Sequence, residues 1–552
     1  MSRNRPPSRK PRGAAARQRK PAIPTPGHQD PAPLLAKAAA HLQAGQLEAA
    51  AAVYRTLLAA APGNIEARFN LALALQQLGR PGEAEEHYRA VLDQLPGSVE
   101  ALSNLALALQ DLGRLDEAAA TFRRAIVLRP DYAEAHCNLG NLLREAGQAE
   151  EAVASHRAAL ALRPDLAEAH SNLGVALQDL GRPEEAEGCF RTAIALRPAY
   201  AAAHYNLGNV LQARERLDEA ETSFRTAVAL APGHAEAHHN LGLILLGAGK
   251  FQEGWREHEW RWRAKGFQGE RRPGADRPAW RKETGPAEAG RGGTVLLWAE
   301  QGLGDTIQFA RYVPEVVRTG WRVLLDVPPA LAGLFASMEG VTMVPAGAPL
   351  PPFDAQCSLL DLPLAFGTTL DTIPAALPYL RADPTAIAGL RAELDARPGL
   401  KVGLVWRGNP DHKRDRFRSI PLAVLRPLLQ VPGVTFVSLQ KEARPDEVDL
   451  LGREAASIDA GPHLGDFAAT AAQVAALDLV ITVDTATCHL AGALGIPTWT
   501  LLEFAAEWRW MRNRTDSPWY PTMRLFRQPK PGDWDSVAAA AADALSRLPQ
   551  PQ

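Results

Sequence analysis

Three short stretches in the second half of the chain concentrate side chains that could act on a substrate. The first is Glu300-Gln301-Gly302-Leu303-Gly304-Asp305, two glycines running into a carboxylate where a helix is expected to start. Glycines let backbone approach a ligand closely. A carboxylate at such a turn either caps the helix or, facing a cleft, takes the proton of an acceptor hydroxyl. Ile307 stands where a dinucleotide fingerprint needs its third glycine, and the Gly-Lys-Ser/Thr of a P-loop is missing. The second stretch runs from Trp406 to Ser419 and packs five cations into twelve residues, among them Arg407, Lys413 and Arg418, with Gly408 and Asn409 at its start. It reads as a solvated loop or as a metal-free grip on a diphosphate. The third, Asp484-Thr485-Ala486-Thr487-Cys488-His489, comes directly after an apolar strand. Its hydroxyls and free N–H groups suit a phosphate, while His489, one turn beyond Thr485, fits a core or a pocket equally well.

A fourth set of polar residues keeps a fixed beat. Asn70, Asn104, Asn138, Asn172, Asn206 and Asn240 recur every 34 residues, each three positions after an alanine, with prolines from Pro62 to Pro232 in step. Facing a groove, the six amides would hold an extended peptide backbone; otherwise they bond a neighbouring helix. Glu66, Glu100, Glu134, Glu168 and Glu236, four residues earlier, read as solvated helix starts.

The elements that must position these residues are of two kinds. Through the first half, Gly79, Gly113, Gly147, Gly181 and Gly249 end first helices where a left-handed residue is wanted. Ala50, Ala84, Ala118, Ala152, Ala186 and Ala220 allow close packing of second helices, and Tyr54, Tyr88, Phe122, Phe190 and Phe224 fill the space between repeats. Position 156 is His in place of the aromatic, and 215 is Glu in place of Gly. Together these phases match the tetratricopeptide pattern over residues 31–268, about seven units whose stacking supplies stability and curves into a groove. Trp255, Trp260 and Trp262 read as a cap that docks the array on the second half of the chain. After a linker at 269–293, strand-like runs (295–298, 322–327, 341–344, 401–406, 435–439, 477–483 and 497–502) alternate with helical stretches, which implies parallel sheets covered by helices. A break at Arg397-Pro398-Gly399 divides them into halves at 294–398 and 399–548. The expected fold is an α-solenoid followed by an α/β pair of doubly wound Rossmann-type halves, laid out like a GT-B glycosyltransferase.

Composition bounds the rest. Hydrophobic residues make up 46% and charged residues 22%, ordinary for globular protein. Four scattered cysteines point to neither a disulfide framework nor zinc, and suit a reducing cytoplasm. No apolar run is long enough to span a bilayer. Net charge is −2, yet residues 1–29 carry eight cations and no acid. Residues 1–30 read as a disordered basic tail without a signal-peptide core.

Gly-x-Gly-Asp before a helix, the basic loop, and Asp-Thr-Ala-x-x-His-Leu-Ala-Gly-Ala-Leu-Gly resemble the ADP-heptose lipopolysaccharide heptosyltransferase family, glycosyltransferase family 9, over about 294–545. The resemblance implies Asp305 as catalytic base, Lys413 or Arg418 as a donor diphosphate contact, and Asp484, Thr485 and His489 in the donor pocket, with Gly302, Gly304, Arg407 and Asn409 beside them. After the last strand the chain departs from that family, reading Glu503-Phe504-Ala505-Ala506-Glu507-Trp508-Arg509-Trp510, so the sugar stays open. The plan of repeats followed by GT-B is similar to protein O-linked N-acetylglucosamine transferase, whose asparagine ladder holds its protein acceptor. The expectation is an inverting glycosyltransferase that moves a hexosyl or heptosyl group from a nucleotide sugar to a protein or glycan acceptor recruited by the groove, with a protein or peptide bound there, no specific nucleic acid, and no metal or other cofactor. The alternative is a non-catalytic tetratricopeptide scaffold with a degenerate GT-B domain.

Overall fold

The computed structural model describes residues 32–267, 276–283, 293–412 and 414–549. The basic tail and Lys413 lie outside the described residues. Residues up to Arg182 form one compact unit and those from Pro183 onward a second.

Among the described residues the first unit holds nine helices, from Ala32–Gln43 to Ala167–Asp179, each packed on the next. Its alternation comes from chemistry repeated at the 34-residue beat. Gly45, Gly79, Gly113, Gly147 and Gly181 take φ between 68° and 76°, so they end the first helix of each pair without steric cost. Asn64 and Ser98 cap the next helices by accepting from Ala67 N–H and Ala101 N–H. Tyr54, Tyr88 and Phe122 are buried at the phase expected of the inter-repeat aromatics. His136 and His170 form a ladder of their own: each ring Nε2 bonds the carbonyl of the proline six residues earlier, at 3.1 and 2.9 Å.

The second unit begins with five more such helices, Pro183–Leu196 to Phe251–His258, and continues into two sheets. The first sheet holds β1 (Thr294–Trp298), β2 (Arg322–Asp326), β3 (Val341–Met343) and β4 (Ala355–Ser358) in the order β3-β2-β1-β4. The second holds β5 (Leu400–Val405), β6 (Val434–Ser438), β7 (Ala456–Asp459), β8 (Leu479–Val483), β9 (Thr498–Leu502) and β10 (Met523–Arg527) in the order β10-β9-β8-β5-β6-β7. Every pairing between these strands is parallel. Renumbered within its own half, the second sheet reads 3-2-1-4-5-6, the doubly wound order whose switch point lies between β5 and β8. β1, β6, β8 and β9 are buried along their whole length, as parallel strands covered on both faces must be.

Three strands escaped the sequence reading. β4 reads Ala-Gln-Cys-Ser and β7 Ala-Ser-Ile-Asp, too short and too poor in β-branched residues to announce themselves, and β10 is a five-residue edge. Part of the stretch read as linker is also ordered. Trp280 is fully buried, and its N–H donates to Gln356 O of β4 at 2.8 Å.

Position 215 finds its reason here. Glu215 takes φ 56°, which strains a non-glycine residue, and its half-buried carboxylate faces Arg527, Arg512 and Arg414 from beyond β5. The three arginines offset that cost only in part, because burial outweighs them and raises the pKa of Glu215.

Position 156 has no such offset. His156 is fully buried, and among the described residues neither ring nitrogen has a hydrogen-bond partner. Burial, with Arg144 nearby, lowers its pKa from 6.5 to about 4. Between those values the unfolded chain binds the proton and the folded chain does not, so stability falls as pH drops from 6.5 towards 4. An imidazole ring sits over Gly140 as the Phe224 ring sits over Gly208, so phenylalanine should fit. His156→Phe is expected to stabilise the fold by about 1–3 kcal/mol at neutral pH. In thermal melts the gap between variant and parent should widen on acidification to about pH 4. An unchanged or lower melting temperature, or a gap independent of pH, contradicts this.

Candidate functional site

The ends of β1, β5, β6 and β8 open on one cleft of about 590 Å³, a size suited to a small-molecule ligand. After β1 the chain turns through Gln301, at φ 61°, into the helix Leu303–Phe309. Asp305 closes that helix start: its Oδ2 accepts from Gly302 N–H at 3.1 Å. Gly304 lines the cleft and also meets a neighbouring helix. A Cβ placed there would lie 2.8 Å from the His489 ring and 3.6 Å from Ala486 Cα. The absent side chain lets the helix Leu303–Phe309 settle against the helix Ala486–Ala493. Asp305 thereby shares a cleft with the motif after β8.

On the β8 side, Thr485 starts the helix Ala486–Ala493 in extended conformation, and no side chain caps it. Asp484, Thr485, Ala486, Thr487 and His489 all line the cleft. The His489 ring is buried, stacks on Trp510 and bonds Tyr520 Oη through Nδ1 at 3.0 Å. Burial, with Arg509 and Arg311 beside it, holds its pKa well below the usual range, so the imidazole is neutral.

The basic loop is anchored more than its composition suggested. Arg407 Nη2 donates to Glu442 O at 2.7 Å and to Glu447 Oε2 at 3.1 Å. Arg418 Nε donates to Asp415 Oδ1 at 3.3 Å, and Arg414 is held by Glu503 at 2.9 Å. A Cβ at Gly408 would stand 2.4 Å from Asp415 Oδ1, so a side chain there would push the Asp415–Arg418 pair aside. Asn409 Oδ1 accepts from Asp411 N–H at 3.0 Å in a local turn. Arg407, Gly408, Asn409 and Arg418 nonetheless line the cleft together with Asp305 and His489.

Residues beyond the three motifs complete the wall: Gln440, Lys441 and Glu442 after β6, Phe467, and above all Glu507 and Arg509. Arg509 is buried and fully engaged. It donates through Nε to Gln308 Oε1 at 3.0 Å, through Nη2 to Asp305 Oδ1, and pairs through Nη1 with Glu507. The one legible sign of it was an arginine between two tryptophans just past the last strand recognised, where the chain leaves the family pattern.

Among the described residues, the ligating atoms of Asp484, Cys488 and His489 lie within 4.8 Å of one another. A metal there would have to draw the proton from the Cys488 thiol, which burial holds well above its usual range, with the Arg509 and Arg418 charges close by. That setting opposes a cation.

The six asparagines are all half-buried at equivalent helix positions. Asn104 Nδ2 bonds its own helix at Glu100 O, 3.0 Å away, Asn172 Nδ2 lies 3.9 Å from Cys137 Sγ, and Asn240 Nδ2 donates to Asn209 Oδ1 at 2.8 Å.

Comparison with known proteins adds to this geometry in the first half of the chain. A profile described as TPR repeat matches residues 108–143 and 140–181, and one described as tetratricopeptide repeat matches 35–99, 171–234 and 207–254. Protein FlbA of Caulobacter vibrioides is 31% identical over 284 residues, which are 46% of this chain and 46% of that protein. The chain thus spans under half the length of that relative. Similar solved structures include YrrB, described as a TPR protein with an unusual peptide-binding site (21% identity, 34% of this chain and 96% of that one, TM-score 0.29). A tetratricopeptide repeat protein from Parabacteroides merdae (17%, 41% and 90%, TM-score 0.36) and pilF of Pseudomonas aeruginosa (20%, 37% and 93%, TM-score 0.34) are others. The N-terminal half of the chain carries tetratricopeptide repeats.

Proposed function

We propose that the cleft is the active site of an inverting glycosyltransferase that needs no metal. The observation that carries this reading is the close approach at Gly304, which brings a carboxylate from the end of β1 onto the same cavity as the uncapped helix start after β8. Ligands of doubly wound sheets bind at the switch point, and helix starts with free N–H groups attract phosphate. In the proposed reaction the acceptor hydroxyl oxygen bonds the anomeric carbon of a nucleotide sugar. The bond from that carbon to the diphosphate breaks, its electron pair leaves on the diphosphate oxygen, and the hydroxyl proton passes to Asp305. Arg418 and the helix Ala486–Ala493 stabilise the departing charge. His489, neutral and steered by Tyr520, borders the donor. The acceptor is a protein or peptide recruited by the repeats, and four free cysteines fit a reducing, cytoplasmic setting.

A second reading has its own observation. Asp305 caps its helix through one oxygen and is paired with Arg509 through the other, which is what a purely structural carboxylate would do. On that reading the protein is a tetratricopeptide scaffold whose α/β part does no chemistry.

Asp305→Asn separates the two. Asparagine keeps the cap, so nucleotide binding should persist, while turnover should fall by about 10² or more for loss of a general base. Near-normal turnover would return Asp305 to capping alone.

Activity is further expected to survive EDTA, because arginines and a helix start replace the metal at the diphosphate. Loss with chelator and recovery with magnesium or manganese contradicts that.

Replacing Asn138, Asn172, Asn206 and Asn240 together by Ala should leave helicity intact, since alanine is the better helix former. Each lost contact to an acceptor backbone costs about 0.5–1.5 kcal/mol, so acceptor use should weaken strongly while hydrolysis of the donor by water continues. A lowered melting temperature with unchanged acceptor kinetics would make the ladder structural.

A further inference from the structure

We propose that Arg509 has two alternative partners, the Asp305 carboxylate and the diphosphate of the donor, and that exchange between them couples donor binding to release of the base. The inference rests on the glycosyltransferase reading and resolves a tension within it. The Asp305 carboxylate accepts from Gly302 N–H through one oxygen and from Arg509 through the other, so both oxygens are already engaged before any acceptor hydroxyl reaches them.

The Arg509 guanidinium is shared by two carboxylates, Asp305 and Glu507, and by the neutral amide of Gln308. Two acids on one cation leave a local surplus of negative charge, so one of the two can lose its share without stranding the arginine. Arg509, Asp305 and Glu507 all line the cleft, as do Thr485, Ala486 and Thr487, where the diphosphate is proposed to lie.

The backbone that carries Arg509 is firmly held. Trp508 packs against Trp255, Phe309 and Trp519, and the fully buried Trp510 stacks on His489. Any exchange of partners therefore falls to the side chain alone. A diphosphate offers the guanidinium a forked, more highly charged acceptor than a single carboxylate oxygen. Its arrival draws Arg509 away from Asp305, and Asp305 is then free to take the acceptor proton. The base is active only when the donor is in place.

The test is a mutant cycle read by calorimetric titration of the full-length chain with inorganic pyrophosphate and with UDP, ADP, GDP and dTDP. Asp305→Asn removes the competitor and should tighten diphosphate binding by about three- to tenfold, a gain that misfolding cannot produce. Arg509→Gln should weaken it by about tenfold or more, as loss of a charge-assisted contact does, with Arg509→Lys in between. In the double variant the gain from Asp305→Asn should vanish, because it acts through Arg509. A gain that survives in the double variant, or unchanged affinity in Asp305→Asn, overturns the exchange while leaving the glycosyltransferase reading standing. Failure of the parent chain to bind pyrophosphate or any of the four nucleotides overturns both.

Discussion

A single buried guanidinium ties the end of the repeats to the edge of the cleft. Arg261, fully buried just past the last repeat, donates to Glu300 Oε1 at 2.8 Å and to Asp361 Oδ1 at 2.7 Å. A charge placed so deep is tolerable only because it is paired, and removing one partner of such a set costs about 3–5 kcal/mol. Glu300 lies two residues past β1 and opens the turn that leads to Asp305. Burial pushes its carboxyl up to about 7 against the pull of Arg261, with Asp361 alongside adding to the rise. The position of the Asp305 turn is thus set from the repeats. Trp262 adds a second tie, donating to Asp361 Oδ2 at 3.2 Å.

From that anchor the site is assembled by steric logic. β1 delivers Gly304 to the His489 ring, where any side chain would collide, and the contact fixes the spacing of the two sheets around the cleft. The Trp508 to Trp510 segment then closes the wall by wedging between the aromatic cluster of Trp255, Phe309 and Trp519 and the His489 ring. The same packing that stabilises this junction aims Arg509 at Asp305. Stability and placement of the functional groups come from one set of contacts.

What could be read from the sequence was what is local or periodic. The repeats were legible because several phases coincide: the left-handed glycines, the small residues of second helices and the aromatic beat each recur every 34 residues. The strands rich in Val, Leu and Ile were legible for the same reason. β4 and β7 were not, because Ala-Gln-Cys-Ser and Ala-Ser-Ile-Asp owe their strand character to the neighbours they pair with. The cleft-lining motifs could be picked out individually, but their pairing depends on contacts between distant positions. Arg509 and Asp305 stand 204 residues apart, and Arg261 and Asp361 stand 100 apart. The sequence suggested a backbone approaching a ligand at Gly304, and gave no sign that the same glycine also abuts His489. Likewise Arg407 and Arg418 were singled out as cations, with no sign that Glu447 and Asp415 hold them.

Whether the cleft binds and turns over a nucleotide sugar is tested most directly by incubating the full-length chain with UDP-, ADP-, GDP- and dTDP-sugars. Melting temperature and release of the nucleoside diphosphate are followed together. One nucleotide class is expected to raise the melting temperature and to yield its diphosphate. If none of the four stabilises the protein and no diphosphate appears, the cleft is not a glycosyltransferase site and the scaffold reading stands.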